Sequence, residues 1–154
     1  MERREVEIII FDMDGTLSIL GDRLKYLRQT PKNWDAFYSA VGEDLPNIHI
    51  RDLYNALADH YRIMILTGRR ESCREETWEW LEVHGFDTPN FLLMRPSGDH
   101  RHDTIIKPEL LKECLKKHKH QVYAPTLFFE DRSSMVKKWR ELGYTCLQVA
   151  DGNF

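Results

Sequence analysis

The chain has 154 residues, 42 % of them hydrophobic, and a formal net charge of −3, which suits one domain around a single core and argues against a non-specific nucleic-acid coat protein, though not against a local basic groove. No apolar run approaches the roughly 18 residues of a membrane span, and the amino-terminal MERREVE lacks the apolar region of a signal peptide. Cys73, Cys114 and Cys146 are widely spaced with no CxxC pair, so they read as reduced core cysteines of a cytoplasmic protein with no membrane partner.

Residues 6–11 (VEIIIF) are apolar and mostly β-branched apart from Glu7, the composition of a parallel strand buried on both faces. Asp12, Asp14, Gly15 and Thr16 follow at once. Residues i and i+2 of an extended or just-departing backbone point the same way. Both acids therefore face one point beyond the strand's carboxyl end, where open α/β sheets place their sites. Two close carboxylates repel, so a fold keeps them together mainly to hold a cation or to do chemistry. An Asp-Gly turn with Asp14 as a cap is the plainer alternative, but it has no need of Asp12.

Residues 18–48 form a small insertion over the mouth of the site. Within it Thr30-Pro31 reads as an N-cap and first helical residue, opening a helix with Trp34, Phe37, Tyr38 and Val41 on one face. A helix over 49–60 turns Ile50, Leu53, Leu57 and Tyr54 inward. A second buried strand over 61–66 ends at Thr67-Gly68-Arg69, and Cys73, Thr77, Trp80, Leu81 and His84 mark the helix after it. A third strand covers 90–94. A polar loop then leads to Lys107-Pro108, where Pro108 opens a helix carrying Leu111, Cys114, Leu115 and His118. A fourth strand over 124–129 ends at Glu130-Asp131. Met135, Val136, Trp139 and Leu142 mark a last helix, and 144–149 a last strand. This alternation predicts an α/β fold: a Rossmann-like, doubly wound parallel sheet with helices on both faces and a small cap or none, in one domain spanning 1–154.

Every polar cluster falls at a strand's carboxyl end. Each has a bland alternative: Thr67 as an N-cap, Lys107 as one surface lysine among several, Glu130-Asp131 as acids at a helix N-terminus, Arg69 in a surface ion pair. His100 and His102 invite a zinc reading with Asp99 and Asp103, but no Cys/His pair completes a tetrahedral site. Of the aromatic residues only Trp34, Phe37 and Tyr38, over the mouth, are candidates to stack bases, and core packing is the favoured use even for them.

The ordered set Asp12/Asp14, Thr67, Lys107 and Glu130/Asp131 resembles the haloacid dehalogenase superfamily, whose pattern is DxDGT, a strand-terminal Thr or Ser, a Lys and paired acids. That resemblance implies Asp12 as the nucleophile forming an aspartyl-phosphate and Asp14 as general acid, then base, with its backbone carbonyl on the metal. Mg²⁺ is the implied cofactor, held by Asp12, Asp14 and Asp131 with Glu130 farther out. Thr67 and Gly68 would bind phosphoryl oxygens, and Lys107 would neutralise the transferring group. GDHRHDTIIK (98–107) and the stretch from Glu130 to the carboxyl end are similar to the 3′-phosphatase domain of bacteriophage polynucleotide kinase-phosphatases. That closer likeness implies substrate-binding roles for Asp103, Arg69 and Arg23. The implied activity is removal of 3′-terminal phosphates from DNA or RNA, with hydrolysis of nucleotides or other small phosphate esters as the alternative and a non-catalytic binding domain less favoured. No GxxxxGK[ST] phosphate loop is present, so 5′ phosphorylation is expected of a separate kinase domain or protein.

Overall fold

The computed structural model describes residues 6–120 and 123–152; residues 1–5, read above for a signal peptide, lie outside them. In chain order the elements are β1 (Val6–Phe11), β2 (Ser18–Ile19), a 3₁₀ turn (Asp22–Leu24), α1 (Lys25–Arg28), α2 (Trp34–Ser39), a 3₁₀ turn (Val41–Glu43), β3 (Leu45–Pro46) and α3 (Ile48–Ala58). Then come β4 (Arg62–Arg70), a 3₁₀ turn (Glu71–Cys73), α4 (Arg74–Val83), β5 (Phe91–Arg95), α5 (Asp103–Lys117), β6 (Tyr123–Glu130), α6 (Ser133–Glu141) and β7 (Thr145–Gln148).

Five strands form a parallel sheet in the order β5-β4-β1-β6-β7. β1 lies at its centre because Ile8, Ile9, Ile10 and Phe11 are all buried, and each such side chain contributes about 1.5–3 kcal/mol when fully removed from water. Its residues alternate between two cores. Ile9 and Phe11 join Tyr54 of α3 and Trp80 and Leu81 of α4 on one face. Ile8 and Ile10 join Leu111 of α5 and Val136 and Trp139 of α6 on the other. This is the doubly wound arrangement the sequence predicts. From β1 the chain fills β4 and β5 on one side, then returns to lay β6 and β7 on the other. The order thus reverses around β1, and a crevice opens beyond the carboxyl ends of β1, β4 and β6.

The cover over this crevice is small. β2 and β3 pair antiparallel through Ser18 with Pro46 and Ile19 with Leu45, and the short helices α1 and α2 lie between them in the chain.

Several boundaries differ from expectation. α2 starts at Trp34, capped by Asn33, whose side chain accepts from Ala36 N; Thr30-Pro31 stays outside it, joined by a cis peptide bond. In α3 it is Tyr54 that is fully buried, whereas Leu53 is 40 % exposed. β4 runs on through Thr67-Gly68-Arg69 to Arg70, with an irregularity in its pairing to β5 after Thr67. α5 begins at Asp103, where His102 caps it, so Pro108 lies inside the helix. Its missing N–H costs a single intrahelical bond. Leu142 ends beyond α6 and is half exposed. No helix among the described residues is long and apolar enough to cross a membrane.

Candidate active site

Asp12 follows β1 directly, and its amide still pairs with Phe129 O of β6 at 2.9 Å. The chain then turns on Met13, whose carbonyl accepts from the amides of Thr16, Leu17 and Ser18. Gly15 makes this turn possible: its φ is +85°, and a Cβ there would lie 2.2 Å from Asp131 Oδ2. The turn after β1 is thereby pressed against the acids after β6.

Asp12, Glu130 and Asp131 are buried, and one carboxylate oxygen from each lies within 4.8 Å of the other two. Lys107 is 2 % exposed, and its ammonium donates to Asp12 Oδ1 at 2.6 Å and Glu130 Oε2 at 2.9 Å. Burial disfavours its charge, but Asp12 and Glu130 outweigh that and raise its pKa, so it is a permanent cation. One ammonium cannot balance three carboxylates. Burial and the nearby Asp12 push Asp131 up to about 7, and the same two causes raise Glu130 well above the usual carboxylate range. Crowded, hard oxygen donors under this strain fit a divalent cation such as Mg²⁺, which would relieve it. Both oxygens of Glu130 already accept bonds, one from Lys107 and one from Asp131 N. Asp131 accepts from the Thr16 hydroxyl at 3.3 Å.

Lys107 reaches this point because it is four residues beyond Asp103 on α5, so both side chains share one helical face. Asp103 accepts from Arg132 at 3.0 Å and from Arg95, which also donates to Gly68 O at 3.0 Å. Burial opposes Asp103's charge, but Lys107, Arg132 and Arg95 prevail and lower its pKa. A Cβ on Gly68 would meet Asp103 Oδ1 at 2.6 Å; the missing side chain makes room for this carboxylate.

Asp14 faces a different set. Its Oδ1 accepts from Arg69 Nη2 at 2.7 Å, from Arg69 Nε at 3.0 Å and from Arg23. Burial works against its charge, yet Arg69 and Arg23 hold it well below the usual carboxylate range. Asp44 secures both arginines. It accepts from Arg23 Nε at 2.7 Å and Nη2 at 2.6 Å, and from Arg69 Nη2 at 3.4 Å. Its own backbone carbonyl is tied to the Trp80 indole at 2.8 Å.

A cavity over the acids is lined by Asp12, Asp14, Thr67, Gly68, Asp103, Lys107, Glu130 and Arg132, with Leu27, Trp34, Phe37 and Tyr38 of the cover. Arg69 and Arg23 do not line it. Arg69 has no exposed surface and Arg23 only 2 %. Neither makes a surface ion pair: both stand against Asp14 and Asp44, with Arg69 Nη1 also donating to the Thr77 hydroxyl at 3.1 Å. Thr67 is buried in the wall, and its hydroxyl oxygen accepts from Arg69 N at 3.1 Å. α4 starts only at Arg74, so Thr67 is no N-cap. His102 caps α5 and appears in no cluster of metal-binding groups among the described residues. Sequence reading passed over Asp44, Arg95 and Arg132. Only Arg132, adjacent to the paired acids, carried a positional signal.

The fold recurs in a haloacid dehalogenase-like hydrolase from Streptococcus pneumoniae, at a TM-score of 0.61 and 18 % identity over 93 % of this chain and 84 % of that one. Structure and site together define a phosphoric monoester hydrolase of the haloacid dehalogenase type. Residues 6–154 match the family model described as the phosphatase domain of polynucleotide kinase PNKP, and the chain belongs to that family. A protein in the structure of the Pnkp1/Rnl/Hen1 RNA repair complex is 31 % identical, with a TM-score of 0.79, over all of this chain and 46 % of its own length. A protein of Autographa californica nuclear polyhedrosis virus, named as a bifunctional polynucleotide kinase/RNA ligase, is 28 % identical over 137 residues, which are 87 % of this chain and 18 % of that protein. The chain thus spans less than half the length of these two relatives.

Proposed function

We propose that this chain is a Mg²⁺-dependent phosphatase that removes 3′-terminal phosphates from DNA or RNA through a phosphoryl group carried on Asp12. The observation that carries this reading is Lys107, a buried cation bridging Asp12 and Glu130 beside Asp131 at the floor of a cavity. A carboxylate attacks an anionic phosphomonoester only where fixed positive charge offsets the repulsion.

In this account an Asp12 carboxylate oxygen bonds to phosphorus, and the bond from phosphorus to the 3′ oxygen breaks. Asp14 gives that oxygen a proton. Water then attacks the acyl phosphate as Asp14 takes a proton from it, freeing inorganic phosphate and regenerating Asp12. Arg69 and Arg23 keep Asp14 ionised and ready for the second step. For the first, the incoming phosphoryl group adds negative charge beside Asp14 and raises its proton affinity, so that Asp14 takes a proton from solvent on binding and holds it for the 3′ oxygen. The Thr67 hydroxyl and the Gly68 amide hold phosphoryl oxygens. Mg²⁺ would be held by Asp12, Asp131 and the Asp14 carbonyl, with Glu130 orienting Lys107, and would supply charge neutralisation to the transferring group. Arg69, Arg23 and Asp103 serve substrate by fixing Asp14, Gly68 and Arg132.

The relatives support a polynucleotide end as the substrate, since one sits in an RNA repair complex and the other is named as a kinase and ligase. Residues 1–154 would then act as one phosphatase domain with 18–48 as its cover, beside a kinase on another domain or protein.

The test compares kcat/KM for a 3′-phosphorylated oligonucleotide, its 5′-phosphorylated counterpart and both mononucleotides, with Mg²⁺. The 3′-phosphorylated oligonucleotide should lead by at least tenfold. A lead for 5′-mononucleotides at every salt concentration would replace this reading with a small-ester phosphatase.

A further inference from the structure

A second cleft, about 200 Å³ in volume, adjoins the catalytic cavity and shares Trp34, Tyr38, Asp103 and Arg132 with it. It is smaller than a drug-sized pocket, which starts at roughly 300 Å³, and suits one nucleoside. The chain is acidic overall, yet this cleft is lined by four arginines, at 70, 95, 101 and 132, against two aspartates, at 99 and 103. Guanidinium groups are therefore concentrated beside the candidate phosphatase site, each held by an acid.

Trp34 forms the aromatic wall. It is 39 % exposed, whereas Trp80 and Trp139 are buried in the two cores. Its ring is braced by Tyr38 one helical turn away (6.0 Å between centroids, 23° between planes) and edge-on by Phe37 at 5.8 Å. Arg70 lies over Tyr38 at 5.1 Å and extends the platform. Lys32 lies 5.7 Å from the Trp34 ring centroid, but its chain is exposed and long enough to swing toward a phosphate. A ring held rigid by its neighbours and partly open to solvent loses little entropy when a flat ligand stacks on it. At the rim Arg70 pairs with Asp35, whose side chain is 89 % exposed, and Arg101 pairs with Glu109, 52 % exposed, and with Asp99, 18 % exposed, at 2.8 Å. The exposed pairs with Asp35 and Glu109 are weak, so a phosphodiester displaces them at small cost, while Asp99 keeps Arg101 in place at the rim.

We propose that this cleft seats the terminal nucleoside of the substrate, its base stacked on Trp34 and its 5′-side phosphodiester against Arg70 and Arg101. The assignment rests on the 3′-phosphatase reading and adds to it a reason for preferring a polymer end to a free phosphate ester. A ring face and a phosphodiester are common to every nucleotide, so the seat is tolerant of sequence.

The experiment uses a 3′-phosphorylated dinucleotide and the same molecule lacking its terminal base. Affinity is read by calorimetric titration in an Asp12→Asn background, which prevents turnover, tryptophan quenching reports the stack, and kcat/KM is read with Asp12 intact. The base should contribute roughly tenfold in affinity, at the low end of what one base stacked on an aromatic ring provides. Trp34→Ala should remove that factor from the intact dinucleotide and nothing further from the abasic one. Trp34→Phe should keep the affinity and lose the quench. Equal weakening of both ligands by Trp34→Ala, or weakening of neither, would overturn the assignment. Failure of the underlying reading appears elsewhere: Asp12-intact protein with native Trp34 would turn over 3′ ends no faster than 5′ ends.

Discussion

Lys107 donates a 2.6 Å hydrogen bond to Asp12 across 95 residues of sequence, with neither side chain more than 8 % exposed. The pair joins α5 to the end of β1, and its second bond, to Glu130, joins both to β6. Removing the ammonium leaves Asp12, Glu130 and Asp131 without their nearest cation. Lys107→Met should therefore reduce kcat by about 10²–10³-fold, the scale on which a fixed charge stabiliser acts. The metal-free variant should also unfold at lower temperature than the parent, with the deficit shrinking when Mg²⁺ is added. Steady-state kinetics and thermal unfolding with and without Mg²⁺ check both effects; unchanged stability in chelator would contradict them.

The raised proton affinity of Asp131 makes a pH-dependent prediction. Its folded value is about 7, above the ordinary 3.8. Below that value the metal-free protein carries a proton that must leave as the cation arrives. Calorimetric titration of Mg²⁺ in buffers of different ionisation enthalpy should show more proton release near about pH 6 than near about pH 8.5. In chelator, the contribution of Asp131 favours folding at acid pH and fades as pH rises through about 7. Proton uptake at either pH would mean that the acids are arranged differently.

Asp44 supplies a third prediction, from a residue outside the cavity. It is 3 % exposed and holds Arg23 and Arg69 in place against Asp14. Asp44→Asn removes a charge from a buried cluster and should cost roughly 3–5 kcal/mol of stability. With Asp14 less firmly oriented, kcat should fall at least about tenfold while KM changes little. Urea unfolding and initial rates measure the two, and full stability in Asp44→Asn would show that the arginines need no second carboxylate.

What the sequence made legible was local. Asp12 and Asp14 stand two apart after an apolar run, and Glu130-Asp131 end another, so both could be placed at strand ends without any tertiary knowledge. The sheet and its two helical layers followed from the same alternation. The burial of Arg69 against Asp14 was not legible, because it depends on β4 continuing to Arg70, which a Thr-Gly pair concealed. Asp44 was missed because nothing near it in sequence, in the turn before β3, signals that Arg23 and Arg69 converge there. Asp103 and Lys107 share a face only because α5 starts five residues before Pro108, against the usual place of proline in a first turn.

Phosphoryl transfer through Asp12 leaves a covalent trace. Rapid acid quench of a reaction carrying isotopically labelled 3′ phosphate, followed by peptide mapping, tests it most directly. Label should be bound covalently to the Asp12 peptide within the first turnover, in the presence of Mg²⁺, and absent from Asp12→Asn, which should fold normally but lack turnover. Full turnover with no label on any peptide, or activity of Asp12→Asn within about tenfold of the parent, would contradict it.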